Sequence, residues 1–450
     1  MTLYSGSIEQ LKTIHVRGKV TRIVGLIIEG HCPHATVGSL CEISFLDKSD
    51  IVLAEIVGFK ESRALLMPLG ELRGLGPGST IRVIKASATI KVGPNLLGRV
   101  IDAMENPIDM LPPPHLEEEK DIYSLPPGPM ERKNISEPLD LGIRAINGLL
   151  TCGMGQRMGI MAGSGVGKSV LLGMMARYAR ADINVIALIG ERGREVREFI
   201  ERDLGKEGLA RSVIVVVTSD QSPLLRMRGA FVATSIAEYF STQGQNVLLM
   251  MDSVTRFAMA MREIGLAVGE PPTTKGYTPS VFATLPKLLE RAGRFQGQGS
   301  ITGLYTVLVD GDDMTEPVAD SVRSILDGHI VLSRALAAKN HYPAIDVMSS
   351  ASRIMREIVP ARHTELAGRA RNVLATYNDA EDLINIGAYA KGSNPRIDFA
   401  IQKIDSINSF LKQGYDETTP LKQTVESLGQ LLSERKDDED DRQDRRESDH

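Results

Sequence analysis

A glycine-rich segment at residues 162–169, AGSGVGKS, is the part of the sequence whose residue types most clearly indicate chemistry. It follows the apolar run RMGIM and precedes VLLGMMARYAR, a stretch of good helix formers. Glycines let backbone N–H groups converge on phosphate oxygens, and the start of a helix adds a partial positive charge. The segment therefore predicts a nucleotide site in which Lys168 reaches the β- and γ-phosphates and Ser169 ligates Mg²⁺. The residues predicted to surround the phosphates are Gly163, Ser164, Gly165, Val166, Gly167, Lys168, Ser169 and Val170.

Two carboxylates follow apolar runs elsewhere in the chain: Asp252 ends NVLLMMD, and Glu191 ends INVIALIGE. A carboxylate at the end of a buried strand needs a cation or hydrogen bonds, so Asp252 is predicted to be the second partner of Mg²⁺, the alternative being an aspartate that faces the surface. Ligands of parallel sheets lie beyond the carboxyl ends of the strands, so Glu191 could orient the attacking water. The residues alone leave a second interpretation open, in which Glu191 pairs within the charged loop ERGREVRE.

The elements that must position these residues indicate an α/β fold in several parts. Short β-branched runs separated by glycines predict a small N-terminal β-barrel over residues 1–90. Apolar runs that alternate with helical stretches predict a mostly parallel sheet in a P-loop domain over residues 91–360. Helical patterns continue over 361–435, and the charged stretch 436–450 predicts a disordered tail or an interaction tail. Residues 105–138, rich in proline and acid, predict an extended, exposed connection.

Composition limits the class of protein. With 42% hydrophobic and 24% charged residues and no apolar run of about 18 residues, a globular chain without membrane spans is expected. The N-terminus lacks the pattern of a secretory signal, and three cysteines without CxxC spacing predict reduced thiols and a cytoplasmic protein. The stretch HCPH at 31–34 lacks the paired spacing of a zinc site. A net charge of −5 and 4% aromatic residues argue against binding of single-stranded nucleic acid.

Several segments together resemble the catalytic subunits of rotary ATPases and their protein-export relatives, which have a RecA-like P-loop domain. These segments are AGSGVGKS, GERGRE, VLLMMDSVTRFA, GYTPSVFATLPKLLERAG and PAIDVMSSASR. Within that superfamily, YTVLVDGDDMTEPVADSVRSILDGHIVLSR and DLINIGAYAKGSNPRIDFAI are similar to flagellar and type III secretion ATPases rather than to synthase β subunits. The resemblance implies the cofactors ATP and Mg²⁺.

The resemblance also implies roles for single residues of this chain. Glu191 corresponds to the catalytic glutamate, and Arg192 and Glu195 correspond to residues that support it and the hydration shell of Mg²⁺. Tyr342, which opens YPAID, corresponds to the position where the family stacks an aromatic ring on adenine. Tyr415 corresponds to a residue that completes the adenine pocket.

Arg353, which closes SSASR, lies where the family inserts an arginine finger into the site of the neighbouring subunit. An arginine supplied in trans stabilises the charge of a phosphoryl-transfer transition state by roughly 10³- to 10⁵-fold, which agrees with that role. The alternative is a helix-capping or salt-bridging arginine. The resemblance implies a homo-hexamer whose partners are a central coiled-coil stalk protein, a peripheral linker protein near the N-terminus, export chaperones with their substrates, and the membrane export gate. It also implies a position peripheral to the inner membrane.

The predicted function is ATP hydrolysis that energises protein export through the bacterial flagellar type III apparatus. The nearest rival is the ATPase of a virulence-type injectisome, which shares every catalytic residue named above. A synthase subunit is disfavoured by the GDDMTEP region, and a non-enzymatic subunit is disfavoured by the presence of Glu191. An RNA-translocating hexamer needs a barrel with exposed aromatics, whereas this barrel segment holds Phe45 and Phe59 and no Trp.

Overall fold

A closed β-barrel of six strands forms the N-terminal part of the computed structural model, which describes residues 17–47, 50–309 and 313–433. Its strands are β1 (Arg17–Val24), β2 (Ile27–His31), β3 (Leu40–Ser44), β4 (Ile51–Lys60), β5 (Arg63–Pro68) and β6 (Thr80–Lys85). They are antiparallel in the order β1–β2–β5–β4–β3–β6, and β6 pairs with β1 to close the barrel. Alternate side chains, such as Ile28, Ile43 and Ile56, fill its interior completely shielded from water. The predicted barrel is confirmed.

The chain between the barrel and the next domain is mostly exposed but is held to the rest of the molecule at a few points. It carries the short strands β7 (Thr89–Val92), β8 (Val100–Ile101) and β9 (Glu118–Asp121). β7 and β9 pair with each other, and the next residue, Ile122, is fully buried. The Ile122 carbonyl accepts a 2.6 Å hydrogen bond from the buried Arg291. Residues 105–138 are otherwise exposed or half-buried, and Met110 is fully exposed, so the predicted exposed connection is confirmed except at Ile122.

A mostly parallel sheet forms the centre of the molecule. Its strands follow the pair β10 (Pro138–Leu139) and β11 (Cys152–Gly153), and they are β12 (Arg157–Ala162), β13 (Ile183–Glu191), β14 (Ser212–Thr218), β15 (Asn246–Asp252), β16 (Gly293–Arg294), β17 (Ser300–Leu308), β18 (Gly328–Leu332) and β19 (Ile345–Ser352). The order is β19–β18–β12–β17–β15–β13–β14–β8, with β16 paired to β17. Only β16 and β19 run antiparallel to their neighbours. The predicted parallel sheet is confirmed.

Helices cover both faces of this sheet. They are α1 (Arg144–Leu149), α2 (Lys168–Tyr178), α3 (Gly193–Glu198), α4 (Gly205–Ala210), α5 (Pro223–Thr242), α6 (Val254–Val268), α7 (Pro279–Leu289), α8 (Pro317–Ile325), α9 (Arg334–Ala338), α10 (Met355–Ile358), α11 (Ala361–Asn385), α12 (Pro395–Leu411) and α13 (Leu421–Leu432). Because strand side chains alternate, Val185 and Ala187 enter the core beneath α5 and α6, whereas Ile186 and Leu188 enter the core beneath α2. The continuous apolar composition of the strands follows from this double burial.

The last three helices, α11 to α13, form the predicted helical C-terminal part and share one core with α1 and α2. Arg369 of α11 ties the end of α13 by donating to the Leu432 carbonyl at 3.0 Å. Within the described ranges, no helix is both long enough and apolar enough to cross a bilayer. The start of the predicted barrel region, residues 1–16, and the predicted tail at 436–450 lie outside the described part of the chain.

Candidate nucleotide site

The glycine-rich loop joins the end of β12 to the start of α2, the arrangement that the sequence predicts. Gly167 caps the helix with φ of 89°, a conformation that L side chains rarely adopt, so glycine suits this position. The side chain of Val166 is buried and that of Val170 is half-buried, and both pack on the core beneath the loop. These two residues therefore offer a phosphate only their backbone. The exposed members of the loop and first turn are Ser164, Gly165 and Ser169.

Lys168 lies between two carboxylates at the carboxyl edge of the sheet. Its Nζ forms an ion pair with Asp252 Oδ1 and lies 3.6 Å from Glu191 Oε1. The three groups meet because β12, β13 and β15 are parallel and end at the same edge. Burial lowers the pKa of Lys168, but the attraction of Asp252 and Glu191 outweighs it, so this pKa lies above its ordinary value. The lysine is therefore held as a cation where an anionic ligand would compete for it.

Glu191 lies in surroundings that suit a proton acceptor. Burial raises the pKa of Glu191 to about 7, and the negative charge of Asp252 adds to the shift against the opposing attraction of Lys168. A side-chain hydrogen bond with Glu195 acts in the same direction as burial. A general base works best with a pKa close to the working pH. Arg192 differs from these residues, since its side chain is 81% exposed and its Nη1 lies 3.8 Å from the Glu195 carboxylate.

Asp252 is almost fully buried and has a second donor that the sequence did not reveal. Thr306 Oγ1 of β17 donates to Asp252 Oδ1 at 2.7 Å. With the Ser169 hydroxyl, the Asp252 carboxylate offers oxygen ligands of the kind that Mg²⁺ prefers. In the described ranges, no three His, Cys, Asp or Glu side chains cluster to hold a metal by themselves.

Arg256 of α6 is another residue near the site to which sequence reasoning gave no role. Its side chain packs against Gly190, where an added Cβ would lie only 2.8 Å from the Arg256 Cβ. Its Nε is buried and has no hydrogen-bond partner within the described part of the chain. The close approach explains why glycine precedes Glu191. The motif VTRFA contains the arginine, but nothing in the motif alone says that it packs against the strand of the glutamate.

The two tyrosines assigned to adenine lie beside the loop. The ring of Tyr342 is close to Gly167, where an added Cβ would be 3.4 Å away from it. The Tyr342 carbonyl accepts from the backbone N–H of Gln413 at 2.9 Å, which brings the segment of Tyr415 to the same side. The Tyr415 carbonyl in turn accepts from Arg177 of α2 at 2.6 Å. The rings of Tyr342 and Tyr415 are 42% and 60% exposed, so both are accessible to a ligand.

Arg353 lies at the amino-terminal ends of the parallel strands, whereas the loop lies at their carboxyl ends. It follows β19, whose last residue, Ser352, pairs with Gly328 at the start of β18. Its backbone N–H donates to the Asp327 carbonyl at 3.0 Å, and its Nη2 donates to the Arg323 carbonyl at 3.2 Å. The length of β12, roughly 16 Å, separates this edge from the loop. The exposed Arg353 cannot reach the phosphate site of its own protomer without refolding.

Comparison with known proteins assigns the three parts to families. Residues 20–83 match the ATP synthase alpha/beta family, beta-barrel domain, and residues 142–352 match its nucleotide-binding domain. Residues 359–430 match the T3SS EscN ATPase C-terminal domain. A "Flagellum-specific ATP synthase" of Bacillus subtilis is 56% identical over 416 residues, which is 92% of this chain and 94% of the relative.

The chain belongs to the ATP synthase alpha/beta family. Within this family it is also similar to a "Type 3 secretion system ATPase" of Xanthomonas euvesicatoria, at 51% identity over 91% of this chain and 93% of that protein. The solved structure of the assembled ATPase EscN in complex with its central stalk EscO, from enteropathogenic E. coli, has a TM-score of 0.86. It is 47% identical and covers 92% of this chain and 100% of that one. The resemblance predicted from the motifs is confirmed, and the predicted domain limits at 90, 360 and 435 stay predictions.

Proposed function

We propose that this protein of the ATP synthase alpha/beta family hydrolyses ATP in the presence of Mg²⁺ to energise protein export through the bacterial flagellar type III apparatus. The observation that supports this function best is the cluster of Lys168, Asp252 and Glu191 at the carboxyl edge of the sheet. When a nucleotide binds, the Lys168 ammonium can leave the two carboxylates and bind phosphate oxygens instead. That transfer leaves one carboxylate for the metal and one for the attacking water.

Each residue of the cluster has its own part in the reaction. Ser169 and Asp252 would hold Mg²⁺ through oxygen atoms, and the ion would supply positive charge to the phosphates of the nucleotide. Lys168 binds the same phosphates. Glu191 orients a water in line with the γ-phosphate and accepts its proton, since a carboxylate with a pKa near 7 is poised for that transfer. Glu195 shares a hydrogen bond with Glu191 and fixes its orientation.

Further residues complete the site from its rim. Tyr342 and Tyr415 stack on the adenine ring, and Arg192 supports Glu191 from the solvent side through Glu195. Arg353 of a neighbouring protomer supplies positive charge to the γ-phosphate. Its position near the start of β18, about the length of β12 away from the loop of its own protomer, supports a role in trans. The site is therefore complete only between two protomers.

The assembly inferred is a homo-hexameric ring. EscN, the relative of known structure, was solved assembled and with its central stalk. By extension, the ring of this protein binds a central coiled-coil stalk protein, a peripheral linker protein, export chaperones with their substrates, and the membrane export gate. It binds no nucleic acid. The ring acts in the cytoplasm, peripheral to the inner membrane at the export apparatus.

A virulence-type injectisome ATPase is the second candidate function. Its support is the 51% identity to the Xanthomonas type 3 secretion ATPase, which is lower than the 56% identity to the flagellum-specific relative of Bacillus. Deletion of the gene in its own host separates the two functions. Loss of motility with restoration by the intact gene supports the flagellar assignment, and unchanged motility with loss of effector secretion supports the injectisome.

ATPase activity measured against protein concentration, with particle size recorded in parallel, tests the proposed site. We expect specific activity to rise steeply as rings form, because each site needs two protomers. Lys168→Ala is the matched control and should remain inactive at every concentration while forming rings of the same size. Constant specific activity from monomer to ring would contradict a shared site, and absence of Mg²⁺-dependent ATP hydrolysis would contradict the proposed function itself.

A further inference from the structure

Thr306 is a buried polar residue in the middle of the central sheet. Its strand, β17, lies between β12, which leads into the glycine-rich loop, and β15, which ends in Asp252. The side chain has no exposure to water. Its Oγ1 lies 2.7 Å from Asp252 Oδ1 and 3.3 Å from the Met251 carbonyl oxygen. The threonine is therefore in contact with a residue of the proposed metal site but lies behind it, away from any substrate.

The direction of this hydrogen bond follows from the groups involved. A hydroxyl has one proton to donate, and an ionised carboxylate can only accept. Hydrogen bonds to a charged acceptor are shorter and stronger than those to a neutral carbonyl. The shorter distance to Asp252 agrees with this preference, so the Thr306 proton is directed to the carboxylate.

Asp252 Oδ1 therefore has two donors, Lys168 and Thr306. The two donors differ in what happens to them when a nucleotide binds. Lys168 is drawn towards the phosphates, whereas Thr306 is fixed in a fully packed strand and stays in place. Once the lysine has left, Thr306 is the donor that remains on Oδ1.

We propose that Thr306 is a positioning residue, which holds the Asp252 carboxylate at the metal position while Lys168 transfers to phosphate. Without this hydrogen bond, the carboxylate would be free to rotate once the lysine has left it. This inference rests on the proposed function, because it assigns Thr306 a part in the binding of Mg²⁺-nucleotide.

The test compares substitutions at Thr306 with a matched change on the same strand. Thr306→Val removes the hydroxyl but keeps the shape of the side chain. Thr306→Ala removes both the hydroxyl and the methyl group, and Thr306→Ser keeps the hydroxyl. Thr302→Val is the control, since Thr302 is also a buried threonine of β17 but bonds the Gly155 backbone N–H at 2.8 Å, at the other end of the strand. Thermal unfolding identifies the variants that fold.

The first measurement is the affinity for methylanthraniloyl-ADP with Mg²⁺ and with EDTA, and the second is the Mg²⁺ concentration that gives half-maximal ATPase activity. We expect Thr306→Val and Thr306→Ala to bind the nucleotide normally in EDTA. In both variants, the factor by which Mg²⁺ increases the affinity for the nucleotide should be about ten times smaller than in the unmodified protein. This is the effect expected from the loss of one hydrogen bond to a charged group. The half-maximal Mg²⁺ concentration should rise by a similar factor. Thr306→Ser and Thr302→Val should behave like the unmodified protein.

Unchanged Mg²⁺ dependence in Thr306→Val or Thr306→Ala would overturn the inference, and so would equal changes in Thr306→Val and Thr302→Val, which would indicate packing alone. Should Thr306→Val fail to fold, Thr306→Ala and Thr306→Ser still separate the hydroxyl from the shape of the side chain. The proposed function fails separately: in that case the unmodified protein itself shows no Mg²⁺-dependent gain in nucleotide affinity.

Discussion

Glu191 occupies a position in which two opposing influences act on one carboxylate. Its burial and the nearby negative charge of Asp252 favour the protonated form, whereas Lys168 favours the ionised form. The former prevail and raise the pKa to about 7. A surface glutamate of ordinary pKa would be ionised throughout the neutral range but would be a weak base. The strand end thus gives Glu191 a basicity that its residue type does not have in water.

This pKa leads to a prediction about pH. The base acts in its ionised form, so kcat/KM for ATP should be constant above about pH 8 and fall by about tenfold per pH unit well below pH 7. The pH dependence of kcat/KM, which reports on the free enzyme, is the measurement. Glu191→Gln should bind nucleotide but turn over about 10² to 10⁴ times more slowly, with no inflection near pH 7. An inflection retained in Glu191→Gln would assign it to another group.

At the scale of residues, the sequence was most informative where a motif had to be continuous. The glycine loop and the carboxylates at strand ends could be predicted because each follows an apolar run directly. Thr306 could not, since a single threonine inside the run ITGLYTVLV has the same pattern whether it bonds Asp252 or its own strand. Its role depends on the register between β15 and β17, which no local pattern encodes.

At the scale of elements, the parallel strands were predictable from their continuous apolar composition, but the edges of the sheet were not. β19, the antiparallel edge strand, has the sequence IDVMSSAS, whose polar residues lack the composition of a buried strand. β8 has only two residues and joins the sheet through β14. The proline-rich connection was predicted to be exposed because proline and acid dominate it. Its few apolar residues, such as Ile122, decide where it packs.

Arg291, in the first turn after α7, holds the proline-rich connection at 105–138 in place. Its guanidinium is fully buried and donates to both oxygens of Glu238 and to the Ile122 carbonyl, each at 2.6 Å. Arg291→Met should lower the free energy of unfolding by about 3 kcal/mol, because it leaves Glu238 and a buried carbonyl without their partner. Urea unfolding measures the loss, and limited proteolysis should cut the connection between 105 and 138 more rapidly.

The control is an ion pair of the same chemistry on the surface. Arg197 at the end of α3 and Glu201 just after that helix lie 2.8 Å apart, and their side chains are 78% and 62% exposed. Exposed pairs contribute little, so Arg197→Met should change the free energy of unfolding by less than about 0.5 kcal/mol. Similar losses in Arg291→Met and Arg197→Met would contradict the structural role assigned to Arg291.

At the scale of the whole molecule, the residues of the proposed site lie at the two opposite ends of the parallel strands. The carboxyl edge carries the glycine loop with Glu191 and Asp252, and the amino edge carries Arg353. β12 connects them directly. Its first residue, Arg157, donates three hydrogen bonds to the Asp327 carboxylate, one from its backbone N–H and two from its guanidinium, and the Asp327 carbonyl accepts from the Arg353 backbone N–H. A ring that brings the amino edge of one protomer to the carboxyl edge of the next would therefore link successive sites through one strand.

A mixing experiment tests this arrangement. Arg353→Ala lacks the finger but keeps a complete phosphate site, and Glu191→Gln keeps the finger but lacks the base, so each variant alone should assemble and hydrolyse ATP poorly. When the two are mixed in equal amounts before assembly, about a quarter of the interfaces pair an intact Glu191 with an intact Arg353. ATPase activity should recover to a comparable fraction of the unmodified level.

Mixing rings that were assembled beforehand is the control and should give no recovery. If mixed rings stay as inactive as their parents, or if Arg353→Ala alone turns over normally, Arg353 does not act across the interface.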